Sequence, residues 1–427
     1  MAVPGIAFLL PLSIFSSSLA SNGTEATATS IVASAASVPP ACLVRLVARD
    51  ESDRTLFESV AAATATPGLA VAPLHPLERG GVQWRSLAIF RDDAGSGAPA
   101  WGVTTVGTID RDRDQVLLRA PGLPACGGRD SALVQALSPA PAGRFDAGPS
   151  SSGATPAPGS AVLLARGRDG FRNRLIGGRV ERVVNLPGER RMLLVRLLDE
   201  RGADPGLLFD PTGSLIGSVL PAPAGGDPSL ATVVLQPNQP VPGAAAGPAS
   251  AAAASTAPDA APPRDVREAI AVAPSPSVLG TVPGLVSQAL RLSGPARFDR
   301  ALALLDAASR QAGVTASLLL EKGVLEFGAG RVASAVEDFR QAAGIDPASH
   351  LARYNLGIAL GTEGRYQDAA AAFQIARDLE PGHGRTHFQL ALALRALGKT
   401  EEARRELDSL SQIDPVLAGE LKVILGA

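Results

Sequence analysis

The sequence is poor in aromatic residues, in lysine and in net charge. Aromatic residues make up 4% of the 427-residue chain, while 45 glycines and 35 prolines indicate that part of the chain does not pack into a core. The formal net charge is −2, so the charge balance favours neither nucleic acid nor an anionic membrane surface as a partner. Lysine occurs at only three positions, so 36 of the 39 basic residues are arginine, which is typical of a GC-rich bacterial genome.

Cysteine is nearly absent, and the two that occur are Cys42 and Cys126. Neither has a second Cys or a His at ligand spacing, so the sequence predicts no zinc site. The two thiols could form one disulfide in an oxidising compartment or remain apart, because the sequence does not give their separation in space.

The N-terminus lacks basic residues, since no Lys or Arg occurs before Arg45. The apolar run over residues 6–15 is too short to span a bilayer but suits the core of a secretory signal. Ser18-Leu19-Ala20 has the small–x–small form of a cleavage site, so residues 1–20 are predicted to be a signal peptide and the mature protein to be periplasmic or secreted. The alternative is a wrongly assigned start codon or a disordered tail.

Composition divides the rest of the chain into four parts. Residues 21–41 are rich in Ala, Ser and Thr and are predicted to be a flexible lead-in. Over residues 42–235, short apolar runs separated by Gly, Pro and Asp predict a mostly-β domain. Residues 236–280 are rich in Pro and Ala and are predicted to be a linker, because they lack the large apolar groups that offset the entropy of ordering. Residues 281–427 have helical periodicity.

The C-terminal part repeats itself every 34 residues. Segments 316–349, 350–383 and 384–417 align without a gap, and the alignment superimposes Gly330, Gly364 and Gly398, then Ala335, Ala369 and Ala403, then Pro347, Pro381 and Pro415. The glycine suits a left-handed helix end, and the proline separates one helix pair from the next. Stacked pairs bury a continuous apolar core that a single pair lacks.

This pattern resembles the tetratricopeptide repeat, whose small first-helix residue is here Gly323, Gly357 and Ala391. The region 282–315 resembles a degenerate earlier copy, and residues 416–427 are predicted to form a cap helix. The resemblance implies an all-α solenoid that binds a protein or peptide partner on the concave surface formed by its first helices. The side chains expected there are Leu320, Val324, Phe327, Tyr354, Ile358, Arg385, Phe388, Leu392 and Arg395. The alternatives are that some of them only pack against a neighbouring helix, or that the repeats drive self-association.

The β-rich part resembles the trypsin-like double barrel, especially that of bacterial stress proteases. The residues around His75 and Asp114 are similar to those around the family's catalytic His and Asp, and Gly202–Gly217 is similar to the strand pair that follows its nucleophile. This alignment puts Asp204 in the position of the serine. An aspartate cannot form the acyl intermediate, so the resemblance implies an inactive protease.

Other motifs are incomplete. Asp110, Asp112 and Asp114 begin like a calcium loop, but Gln115 stands where such a loop needs Gly. His383 and His387 lack the Glu of a metalloprotease helix. The sequence therefore predicts no metal, no cofactor, no nucleic acid and no transmembrane segment after signal removal. It predicts an exported protein-binding adaptor or scaffold, and the alternative is an active trypsin-like endopeptidase that recruits partners through its repeats.

Overall fold

The computed structural model describes residues 43–64, 66–78, 84–91, 100–125, 156–166, 175–188, 190–198, 206–210, 215–235, 277–292 and 297–426. The chain forms two compact units, whose boundary lies between Arg291 and Leu292. The first is β-rich and the second is all-helical, which confirms the broad division of the chain. Several predictions fall outside the described residues and stay predictions: the signal peptide, the lead-in, the disulfide, the role of Asp204, and residues 236–276 of the linker.

The first sheet of the β unit contains seven antiparallel strands in the order β5-β4-β1-β2-β3-β7-β6. They are β1 (Leu43–Arg49), β2 (Thr55–Ala63), β3 (Leu69–Pro73), β4 (Ser86–Arg91), β5 (Ala100–Gly102), β6 (Thr105–Asp110) and β7 (Gln115–Arg119). The sheet closes because its two edge strands, β5 and β6, are consecutive in the chain. β5 pairs with β4, and β6 pairs with β7. At the junction, the Val103 N–H donates to the Leu87 carbonyl (2.8 Å) and the Thr104 N–H donates to the Arg119 carbonyl (2.9 Å).

The second sheet contains six antiparallel strands in the order β12-β11-β8-β9-β10-β13. They are β8 (Ala161–Arg166), β9 (Leu175–Leu186), β10 (Arg190–Leu197), β11 (Gly206–Phe209), β12 (Leu215–Ser218) and β13 (Leu230–Leu235). This sheet closes in the same way, because the chain after β12 crosses to β13. Val219 bridges Val233, and the Leu220 N–H donates to the Thr232 carbonyl (2.9 Å).

Strands β8 and β11 of the second sheet are buried on both faces. In β8, Val162 and Leu164 belong to an apolar cluster formed by the strands of the second sheet, whereas Leu163 and Ala165 alternate with them and pack with residues of the first sheet. This period-2 alternation follows from strand geometry. It explains why these strands appear in the sequence as nearly continuous apolar runs.

A helix from beyond the predicted linker completes the β unit. A short 3₁₀ turn (Val278–Gly280) leads into a helix that lies on β13, and both belong to this unit. The Ser287 and Thr232 hydroxyls lie 2.5 Å apart, and the fully buried Arg291 donates to the Leu220 carbonyl at 2.8 Å. The sequence predicts that this helix opens a degenerate repeat over 282–315. The structure groups the helix with the β unit, where its buried polar side chains have their partners.

Numbering the helices in chain order, α1 is His75–Glu78 of the β unit and α2 is Val282–Arg291, the helix on β13. The helical unit contains α3 (Phe298–Ala312), α4 (Ala316–Gly328), α5 (Val332–Ile345), α6 (His350–Thr362), α7 (Tyr366–Leu379), α8 (Gly384–Ala396), α9 (Thr400–Ile413) and α10 (Pro415–Leu425). The pairs α4–α5, α6–α7 and α8–α9 coincide with the three predicted repeats, and α10 with the predicted cap. None of the helices in the described ranges is long and apolar enough to span a membrane.

The repeated glycines have the roles that their spacing predicts. Gly330, Gly364 and Gly398 have φ values of +78°, +78° and +76°, a conformation that residues with a Cβ rarely adopt. Gly357 lies where two helices cross, and a Cβ added there would stand 2.6 Å from the Phe373 ring. The small first-helix residue therefore makes room for the aromatic ring of the second helix.

Candidate functional sites

The structure brings two of the three predicted triad residues together at one end of the first sheet. His75 follows β3, and Asp114 precedes β7, the strand that pairs with β3. The Leu74 and His75 N–H groups donate to Asp114 Oδ1 at 3.1 and 2.7 Å. His75 Nδ1 lies 2.5 Å from Asp114 Oδ2. Both side chains are buried, and Asp114 adopts φ +54°, which is unusual for a residue other than glycine.

This geometry has a definite chemical meaning. A buried carboxylate bonded to Nδ1 fixes the imidazole tautomer and orientation, which leaves Nε2 as the nitrogen that exchanges protons with a nucleophile. The pair can therefore orient a general base. The third predicted position, Asp204, lies outside the described residues, so the structure does not place a nucleophile or its substitute beside this pair.

The acidic turn that carries Asp114 distributes its carboxylates to separate partners. Asp110 accepts from the Arg113 N–H (3.0 Å), Asp112 forms an ion pair with Arg190 of β10, and Asp114 binds His75. Burial raises the pKa of Asp110, and the nearby Arg113 opposes that rise. Asp112 and Asp114 thus cross-link the turn to other elements of the β unit, whereas Asp110 bonds within the turn.

Glu78, at the end of α1, is a further cross-link that the sequence did not reveal. Its Oε1 pairs with Arg111 Nε at 2.8 Å, and its Oε2 accepts from the Val278 N–H at 3.0 Å. One carboxylate thus joins the His75 turn, the acidic turn and the segment before α2. No local pattern signals this role, since Val278 lies 200 residues away in the chain.

The expected groove residues fall into two classes. Val324, Phe327, Ile358, Phe388 and Leu392 are buried and belong to the apolar core of the repeats, so for these five the packing alternative describes what the structure shows. Leu320, Tyr354 and Arg385 are half-buried, and Arg395 is exposed. Arg395 donates to the Ile424 carbonyl at the end of α10. We define the first-helix face as four first-helix residues that are not fully buried. Leu351 is 52% exposed, and the other three are half-buried: Leu320, Tyr354 and Arg385.

Tyr354 is the aromatic member of the first-helix face. Its ring centroid lies 5.9 Å from that of Phe373, the core aromatic of the same repeat, and 5.3 Å from that of His383 in an edge-to-face arrangement. Burial raises the pKa of Tyr354 to about 12, and the nearby Arg385 acts in the opposite direction. Tyr354 is therefore neutral at physiological pH and presents an apolar ring with a phenolic hydroxyl.

A histidine cluster that no sequence motif predicts lies beside Tyr354. Three of the four histidines of the chain, His350, His383 and His387, meet where α6, α7 and α8 come together. In the sequence, His383 and His387 resemble only an incomplete metal-binding motif. The one sequence feature that indicates the cluster is that these three histidines lie within 38 residues, in a chain with only one other histidine. Their partners Thr386 and Glu406 follow no recognised motif.

Comparison with known proteins supports the repeats. Residues 288–350 and 354–416 match the family model described as tetratricopeptide repeat. The helical part is similar to the solved structure of YrrB, titled a TPR protein with an unusual peptide-binding site, at 18% identity over 34% of this chain and 78% of that chain, with a TM-score of 0.31.

Two structures of the protein MamA also match. One shows 18% identity over 33% of this chain and 82% of that chain, with a TM-score of 0.31. The other, a form of MamA from Desulfovibrio magneticus RS-1 starting at its residue 41, shows 20% identity over 30% of this chain and 75% of that chain, with a TM-score of 0.28. No curated protein matches this chain in sequence. The chain contains tetratricopeptide repeats, as predicted, whereas these comparisons do not confirm the trypsin-like resemblance.

Proposed function

We propose that the chain is an adaptor or scaffold that binds an extended segment of another protein on the first-helix face of its repeats. The observation that carries the proposal is the exposed apolar surface beside a rigid aromatic ring, with Leu351 52% exposed on the same helix as Tyr354. Aromatic anchors of this kind supply a large contact area at a low cost in conformational entropy. Arg385 adds a cation to this surface, so the face suits a segment that combines an apolar side chain with an acidic group.

The half-buried state of Tyr354 matters for affinity. Its ring is already held by Phe373 and His383, so a partner meets an anchor that loses little freedom on binding. The five buried residues of the original groove set contribute through the shape of the core and not through contact with a partner. This division makes a testable distinction between binding residues and packing residues.

We expect a photo-crosslinking amino acid at position 351 to attach to a partner segment, and the same probe at position 375 to attach to none. Ile375 is the matched control, because it is an apolar residue of similar exposure (43%) on the second helix of the same repeat. Mass spectrometry of the crosslinked peptides identifies the segment. With a synthetic copy of that segment, Tyr354→Ala is expected to weaken binding by ~2 kcal/mol in calorimetry. Equal crosslinking at both positions would remove the first-helix face from the proposal.

For the β unit, we propose a catalytically silent trypsin-like domain. Two closed antiparallel sheets and a His75–Asp114 pair at the end of one of them support the resemblance. The silence rests on the sequence alignment, which puts Asp204 where a hydroxyl nucleophile is needed. In this proposal the His–Asp pair persists as a structural cross-link of the β3 and β7 ends.

A fluorophosphonate probe tests this silence directly. We expect purified full-length protein to remain unlabelled. In the proposed alignment Asp204 occupies the nucleophile position, and a carboxylate does not form the stable phosphonate adduct that an activated serine forms. Asp204→Ser serves as the gain-of-function comparison, and His75→Gln in the Asp204→Ser background should abolish any labelling that appears. Labelling of the natural protein that His75→Gln removes would establish the alternative, an active serine hydrolase.

A further inference from the structure

The junction between the second and third repeats is built around histidines. His350 begins α6, Glu380 follows the end of α7, and His383 is the residue before α8. The His350 and His383 rings meet edge to face with centroids 4.5 Å apart. Two imidazole rings are therefore in direct contact at this junction.

One hydroxyl connects the two rings. His350 Nε2 lies 3.0 Å from Thr386 Oγ1, and His383 Nδ1 lies 2.7 Å from the same oxygen. His350 Nδ1 faces Glu380 Oε2 at 2.9 Å. Thr386 is fully buried, so water does not complete this network at the hydroxyl.

The donors and acceptors have a consistent direction when both rings are neutral. Glu380 only accepts, so His350 donates from Nδ1 and its Nε2 accepts from the Thr386 hydroxyl. The Thr386 oxygen then accepts from the Nδ1–H of His383. A proton added to His350 puts an N–H on Nε2 and turns the Thr386 hydroxyl away from its acceptor. A proton added to His383 puts a second cation at the junction.

The surroundings of His383 oppose that charge. Burial lowers the pKa of His383 to about 4, with further lowering by His350, Arg385 and His387, while Glu380 acts in the opposite direction. Burial also lowers the pKa of His350, against the effect of Glu380. His387 faces an oxygen at each ring nitrogen, Glu406 Oε2 at 2.7 Å and the Pro381 carbonyl at 2.9 Å. The charged and titratable groups around the cluster are His350, Tyr354, Arg377, Glu380, Arg385, His387 and Glu406.

We infer that this junction is a pH-sensitive element of the repeat unit, which loosens when its histidine–threonine network is protonated. Tyr354 packs against His383, so loosening the junction also releases the aromatic anchor of the first-helix face. That last step rests on the proposed binding function, whereas the loosening itself does not.

The direction of the pH effect follows from the lowered pKa. A histidine whose pKa falls from 6.5 in the unfolded chain to about 4 in the folded one contributes stability that is complete above pH 6.5. This stability is lost as the pH falls from 6.5 to 4. Asp338 has the opposite effect, because burial raises its pKa to about 6, with Glu326 adding to the rise and Lys322 opposing it. Acidification over the same range therefore neutralises the Asp338 carboxylate and stabilises the fold. The experiment must separate this effect from that of His383.

The experiment compares the full chain with His383→Asn. Asparagine keeps an N–H donor near the position of Nδ1 and suits the residue before a helix, but it does not titrate. Helical circular dichroism in urea gives the unfolding equilibrium constant at pH 7 and pH 5. We expect this constant to rise about 20-fold more in the natural protein than in His383→Asn, by linkage to the shifted histidine. Asp338→Asn is the control of opposite sign, and its acid destabilisation should be larger than that of the natural protein.

Histidine ring NMR supplies a second readout that does not need a stable variant. The chain contains four histidines, so four ring signals are expected, and one of them should titrate well below pH 6.5. His383→Asn or Thr386→Val assigns it, whichever folds. Identical pH dependence in the natural protein and His383→Asn, or a His383 ring that titrates near 6.5, would overturn the inference. Neither measurement involves a partner, so their failure is distinct from failure of the proposed binding function.

Discussion

Removing α2 is expected to destabilise the β unit by about 5 kcal/mol, an effect comparable with the total stability of many domains. The comparison is between residues 43–276 and residues 43–291, which differ by the 3₁₀ turn and α2. That segment buries three large apolar side chains, Val278, Leu285 and Val286, and burying each contributes about 1.5–3 kcal/mol. It also supplies Arg291 and Ser287, the partners of the Leu220 carbonyl and the Thr232 hydroxyl. Without it, those polar groups of the second sheet lose hydrogen bonds.

Tryptophan fluorescence in urea measures this effect on the β unit alone. The chain has two tryptophans, Trp84 and Trp101, and both lie in the first sheet or next to it. Leu279→Ala in the longer chain is the control, because this side chain is 40% exposed and its loss should change the midpoint little. Equal midpoints for the two chains would show that α2 is an accessory to the β unit and not a part of it.

In the repeat unit, the largest single-residue effect is expected at Phe373. Its ring is fully buried at the crossing of α6 and α7, so Phe373→Ala should lower the free energy of unfolding by ~3–5 kcal/mol. Gly357→Ala tests the same crossing from the other side, because its new Cβ would lie 2.6 Å from the Phe373 ring. Overpacking of this kind costs about 1–3 kcal/mol. The two changes should not add, since removing the ring removes the clash.

Helical circular dichroism of the full chain in urea, with the double variant included, completes the cycle. Gly344→Ala is the matched glycine control. It lies inside α5, and an added Cβ meets nothing within 4 Å, so this change should stabilise by up to about 1 kcal/mol. Additive effects of Gly357→Ala and Phe373→Ala would mean that the helices do not cross at this contact.

The sequence predicted the repeats well because their constraints are local and periodic. The glycines that end the first helices and the small residues opposite Phe339 and Phe373 each follow from the 34-residue alignment. The destination of α2 was not predictable in this way. Its amphipathic period marks it as a packed helix, but the surface it packs on is decided by Arg291 and Ser287, whose partners lie over 50 residues away.

The candidate sites show the same limit. Motif similarity assigned His75 and Asp114 to one site, and in the structure the two side chains are in contact at the ends of the paired strands β3 and β7. An offset within a repeat predicts which face of a helix a side chain occupies. It does not predict how far neighbouring helices bury that side chain, as they do Phe388 and Leu392. The His350–Thr386–His383 network joins residues from two helices and a connecting segment, so no short pattern in the sequence signals it.

The closure of the two sheets has a consequence for recognition by the β unit. Strands at the margin of an open sheet leave rows of unpaired N–H and C=O groups, which accept a further strand from another chain. Within the described strands, the β5–β6 junction and the crossing from β12 to β13 join the margins of each sheet to one another. A partner peptide therefore finds no continuous backbone template there. Docking by strand addition, and edge-to-edge aggregation by the same contacts, are both disfavoured for these two sheets.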